Sequence, residues 1–65
     1  MYKEIKVNSS AIDNVGYDDI KKMLKIEFHG GRIYEYENVP KQEFLNIVAA
    51  PSVGKYYNAH IKGVF

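Results

Sequence analysis

The chain has 65 residues, 46% of them hydrophobic and 14% aromatic, with 26% charged and no cysteine. That composition excludes a disordered chain, a coiled coil, and a scaffold held by disulfides or Cys-ligated metal. A domain this short buries only about 60% of its unfolded surface, so packing or self-association has to stabilise it. Nine basic and eight acidic residues leave a formal charge of +1, which argues against a binder driven by strong overall charge.

No apolar run approaches the roughly 20 residues of a membrane helix, and Met1-Tyr2-Lys3-Glu4-Ile5-Lys6 lacks the apolar core of a signal peptide. A cytoplasmic location without membrane association is the simplest expectation, and it leaves the Asn8-Ser9-Ser10 glycosylation sequon idle. No linker, repeat or low-complexity tract divides the chain, so residues 1–65 are expected to form a single domain punctuated by Pro40 and Pro51.

Before Pro40 the residues prefer strands. Ile5 and Val7 alternate with Lys6 and Asn8, residues 12–17 read as a weak extended segment, and Asp18-Asp19 supplies a turn. The clearest pair spans about residues 22–28 and 32–37. Its loop length follows from register, because a one-residue slip sends every side chain to the other face. A two-residue loop would set Ile26 opposite Glu35 and Leu24 opposite Glu37. A three-residue loop, His29-Gly30-Gly31, with a glycine in the left-handed conformation, instead pairs Phe28 with Arg32, Ile26 with Tyr34 and Leu24 with Tyr36. It also sets Lys25 opposite Glu35, a favourable cross-strand pair.

Past Pro40 the period becomes helical. Phe44, Leu45, Ile47 and Val48 predict a helix over about 41–50, with Pro40 suited to its first turn. After Pro51, Ser52 can cap a second helix over about 53–62, whose stripe is Val53, Tyr56, Tyr57, His60 and Ile61 and which Gly63 ends. The predicted fold is α+β: a small antiparallel β-meander of three strands, with room for a fourth short N-terminal one, covered on one face by two C-terminal helices.

Three serines, two histidines and eight carboxylates can be assembled into many triads on paper, but no catalytic or metal-binding motif is present. The expectation is a protein without catalytic residues, cofactor or metal. His60 reads as a core-edge histidine and His29 as a solvated turn residue, with a ligand contact beside the glycines as the functional alternative for His29. Gly30-Gly31, with Arg32, reads as a hairpin turn before it reads as an anion-binding loop. Tyr34 and Tyr36 lie on one strand face, either as core residues with hydroxyls at the rim or as platforms for unpaired bases. On a helix of 100° per residue, Lys55, Asn58 and Lys62 fall within an arc of about 60° opposite the apolar stripe. Residues 40–65 carry a local +2 and residues 1–39 a local −1. A basic helix face of this kind can meet phosphate oxygens, and it is equally what a solvated helix presents.

Several short patterns occur together: Val7-x-Ser9-Ser10-x-Ile12, Val15-Gly16-Tyr17-Asp18, Leu24-x-Ile26-x-Phe28, Gly31, Tyr34-x-Tyr36, Val39-Pro40, and Ala50-x-Ser52-x-Gly54-x-Tyr56-Tyr57-Asn58 with Ile61-Lys62. In combination they resemble the KTSC domain, a family found at the C-terminus of some lysyl-tRNA synthetases and as small stand-alone bacterial and phage-type proteins. The resemblance implies no catalytic residue, and it implies RNA as a candidate ligand through the tRNA context. Carried over by position, its polar set is Ser9, Ser10, Asp18, Ser52, Gly54, Asn58 and Lys62. Each also has a fold role available: Ser52 as a cap, Ser9 and Ser10 as turn hydrogen bonders, Gly54 at a close helix contact, Asp18 in a turn.

The leading expectation is a non-catalytic binding module that holds RNA or a nucleotide-like anion through Lys55, Asn58 and Lys62 with Arg32 and the Tyr34/Tyr36 rim. The alternative is a homo-oligomer that sequesters a small signalling nucleotide or binds and blocks a host protein.

Overall fold

The structure, a computed structural model, describes residues 2–65. Strands β1 (Tyr2–Lys6), β2 (Ile12–Asp18), β3 (Met23–Phe28) and β4 (Ile33–Tyr36) form one antiparallel sheet in the order β1-β2-β3-β4. Helix α1 (Lys41–Ala49) and helix α2 (Val53–Tyr56) follow, and α2 runs on into a π-helical segment, Tyr57–Ile61. The fold is the expected α+β meander covered by C-terminal helices, and the N-terminal strand is a full member of it. β1 pairs along its whole length with β2, with Ile5 opposite Val15.

The weak reading of residues 12–17 has a local cause. Ile12 and Val15 are both fully buried, although strict alternation puts residues three apart on opposite faces. A register shift between Ile12 and Asn14 leaves Asp13 as the extra residue of a β-bulge, which brings both apolar side chains to the core face.

Across the next hairpin the observed register is Leu24 with Tyr36, Lys25 with Glu35 and Ile26 with Tyr34, as the three-residue loop requires. The Phe28 N–H donates to the Arg32 carbonyl at 2.8 Å, and Gly30 and Gly31 both take positive φ, 97° and 95°. Lys25 extends its ammonium over the Tyr2 ring, 5.7 Å from its centroid, on the sheet face away from the helices.

Helix α1 begins at Lys41. Pro40 stands just outside it as an extended cap residue rather than in its first turn, and Ala50 is extended because a residue preceding proline avoids the helical region. Ser52 caps α2 as expected, its Oγ accepting from the Lys55 N–H at 3.3 Å. The second helix departs from its expected form after Tyr56. The Lys62 N–H reaches back five residues to the Tyr57 carbonyl at 2.9 Å, which closes a π turn rather than an α turn.

That turn resets the helix face. On an α-helix of 3.6 residues per turn, residues four apart drift round the axis; a turn holding more residues keeps them in line. The buried residues of this region are accordingly Val53, Tyr57 and Ile61, spaced by four. His60, expected at the core edge, is instead exposed and stacks on the Tyr56 ring with centroids 4.3 Å apart. The core lies between sheet and helices, where Val15, Tyr17, Leu24 and Ile26 meet Phe44, Ile47, Tyr57 and Ile61. Tyr17 stacks on Phe44 and donates its hydroxyl to the Val39 carbonyl at 2.6 Å, tying the sheet to the chain entering α1.

Candidate functional site

A cleft of about 500 Å³ opens where the β1–β2 loop, the β3–β4 turn and the second helix meet. Its size falls within the range of small-molecule sites. One wall is aromatic. Tyr34, Phe28 and Tyr57 follow one another edge to face, with centroids 5.4 Å apart at each step.

The rest of that wall explains why the two central tyrosines differ. Tyr36, two residues from Tyr34 on the same face, is half-buried, and its hydroxyl shares a hydrogen bond with the Tyr57 hydroxyl. Burial first, and then that bond, hold the Tyr57 phenol well above the ordinary range. Tyr34 keeps 42% of its surface exposed and lines the cleft. The two rings therefore differ in place: Tyr36 is a core-edge residue, and Tyr34 is an exposed ring on the cleft wall.

The β1–β2 loop supplies a second wall through Ser10 and Ala11. Its shape is set by Ser9, whose Oγ accepts from the N–H groups of Ala11 and Ile12, both at 3.2 Å. His29 ties this loop to the hairpin tip. Its Nε2–H donates to the Ser9 carbonyl at 2.8 Å, its backbone N–H donates to the Ala11 carbonyl at 3.0 Å, and its Nδ1 lies 4.0 Å from the Asp13 carboxylate. The bulge that rescues Ile12 for the core therefore also brings Asp13 to His29. The histidine lines the cleft and holds two of its walls together.

The third wall is helical. Gly54, Asn58 and Lys62, again spaced by four, line the cleft, and Lys62 faces it together with Arg32, which stands just before β4. Lys55 is exposed but lies outside the lining: it stands in α2 before the π turn, next to Gly54 and about 100° round the helix axis from it. Of the six residues expected to bind a ligand, four converge here: Arg32, Tyr34, Asn58 and Lys62. Tyr36 supports the aromatic wall from behind. Gly30 and Gly31 form the hairpin tip and do not line the cleft.

Arg32 and Lys62 both line the cleft, and among the described residues no carboxylate does. A smaller hollow of about 220 Å³ on the open sheet face mixes Lys21 and Lys25 with Asp18 and Glu35. Asp18 has a turn role there, accepting from the Ile20 and Lys21 N–H groups at 3.0 and 3.1 Å, and those bonds, Lys21 first, lower its carboxyl below the usual range. Ser52 is likewise a cap. Among the described residues no three metal-ligating side chains cluster, and no helix is long and apolar enough to cross a membrane.

Ser10, His29 and Gly54 also line the cleft, outside the six residues expected to bind a ligand. Ser10 and Gly54 belong to the polar set carried by the family pattern, and His29 sits beside the turn glycines, so the signal lay in short motifs and not in helical periodicity.

Residues 8–65 match the family model described as the KTSC domain. The fold is similar to a solved structure of a KTSC domain protein from Yersinia pestis, at 35% identity and a TM-score of 0.93, over 100% of this chain and 92% of that one. A protein of Tsukamurella paurometabola is 41% identical over 59 residues, covering 91% of this chain and 88% of its own. A lysine–tRNA ligase of Nostoc punctiforme is 38% identical over 61 residues, covering 94% of this chain and 11% of the ligase.

Proposed function

The chain belongs to the KTSC domain family, and from that premise we propose that it is a non-catalytic binding module whose cleft takes an unpaired nucleotide unit, free or within single-stranded RNA. The carrying observation is the charge of the lining: in a protein of formal charge +1, Arg32 and Lys62 share one cleft without a carboxylate. Two cations beside an exposed aromatic ring suit a ligand that is anionic at one end and flat at the other. Arg32 and Lys62 meet the phosphate, the Tyr34 ring stacks on the base, and Asn58 offers an amide donor and acceptor to a base edge or sugar hydroxyl. Lys55, outside the cleft, adds attraction for a strand that continues past it. The similarity to a segment of a lysine–tRNA ligase supports RNA as the source of the nucleotide.

Fluorescence anisotropy of a short labelled single-stranded RNA, with mononucleotide as competitor, tests this reading. Two phosphate contacts on a single strand give a slope of about −1.4 in log affinity against log salt. Arg32→Ala with Lys62→Ala removes most of that slope, while Lys55→Ala leaves most of the affinity in place. Affinity unchanged in the Arg32/Lys62 double variant, or insensitive to salt in the unmodified protein, would overturn it.

A further inference from the structure

Resting on that reading, we infer that Gly54 is the close-approach point for the ligand's base, a position kept free of a side chain by the ligand and not by the fold. The sequence suggests the opposite, that a glycine near the start of the second helix allows another element to pack closely. The structure removes that reason. A Cβ built at Gly54 meets only the Ser9 Oγ, at 3.8 Å, an ordinary van der Waals separation.

Backbone conformation gives no reason either. The glycines at positive φ are Gly30, Gly31 and Gly63, whereas Gly54 lies within α2. Gly54 is the second residue of α2, after the Ser52 cap and Val53, and even in that first turn glycine gives up more backbone freedom on folding than alanine does. A residue that costs helix stability, fits alanine sterically and lines the cleft is accounted for by what enters the cleft. Gly54 leaves bare backbone in the wall that also holds Asn58 and Lys62, and a flat ring can lie against bare backbone where it cannot lie against a methyl group. With the base there, Asn58, four residues along the same line, is placed for its polar edge.

The test pairs Gly54→Ala with two probes, AMP and ribose phosphate, which share a phosphate and differ in the base. The substitution should raise Tm by a few degrees, on the order of 4 °C, since it improves a helical position without a clash. It should weaken AMP binding at least tenfold and leave ribose phosphate binding unchanged. Gly54→Val should abolish AMP binding. Two outcomes overturn the inference while leaving the binding function intact: AMP bound as tightly by Gly54→Ala as by the unmodified protein, or a lower Tm, which would mean that the fold needs the glycine. An unmodified protein that binds neither AMP nor single-stranded RNA removes the proposed function itself, and this inference with it.

Discussion

Tyr34 and Tyr36 show how two identical residues on one strand face come to do different work. Tyr36 faces Tyr57, and each hydroxyl satisfies the other; Tyr34 stands at the strand start, where the cleft opens beside it. The two are separable by substitution. Tyr36→Phe strands the Tyr57 hydroxyl in a buried position and should cost about 1–2 kcal/mol in stability, read by urea denaturation, with RNA affinity nearly unchanged. Tyr34→Ala removes a half-solvated ring and should cost little stability, but about 1–3 kcal/mol of binding if one base stacks on it. The reverse pattern, with stability lost at Tyr34 and affinity lost at Tyr36, would show that the two roles had been exchanged. Alternation in the strand puts both tyrosines on one face, and it cannot say which of them the second helix covers.

Among the elements, the β3–β4 hairpin is the one whose geometry was most legible, because charge and apolarity discriminate between its registers. The wrong loop length would have buried Glu35 or Glu37. The turn then places Arg32 and His29 at the cleft, so its integrity is a condition for the site. Gly31→Ala puts a Cβ at a φ of 95°, in a conformation that costs about 1–3 kcal/mol for an L side chain although the space around it is open. Thermal denaturation should show that loss; an unchanged Tm would mean that the turn relaxes freely and does not hold Arg32 in place. The second helix was less legible. Its existence, its Ser52 cap and its end before Gly63 follow from local residue chemistry. Its π turn does not, because the choice between closing four or five residues back depends on how Tyr57 and Ile61 fit against the sheet. One turn of different pitch leaves His60 in solvent and keeps Asn58 and Lys62 in line with Gly54, while Lys55, one residue past Gly54 in α2, stays outside the cleft.

At the scale of the whole molecule the tyrosines are also a pH liability. Burial raises the phenols of Tyr17 and Tyr57, and a hydrogen bond to Glu43, at 2.7 Å, raises that of Tyr56. The folded chain therefore holds these protons more tightly than the unfolded chain does. Their contribution to stability is complete below the ordinary phenol value of 10.0 and drains away as the pH rises past it. A chain with so thin a core should lose its fold along with the appearance of phenolate absorbance, and stability that stays level well above that pH would contradict the assignment. The amino-acid sequence by itself determined the class of fold, the hairpin register, the Ser52 cap and the family, because each rests on neighbours in the chain or on a period that a few residues reveal. Tertiary packing alone decided the bulge at Asp13, the π turn, the division of labour between the tyrosines and the assembly of the cleft from three separate segments. Those features are settled by contacts between residues far apart in the chain, whose energies no local pattern records.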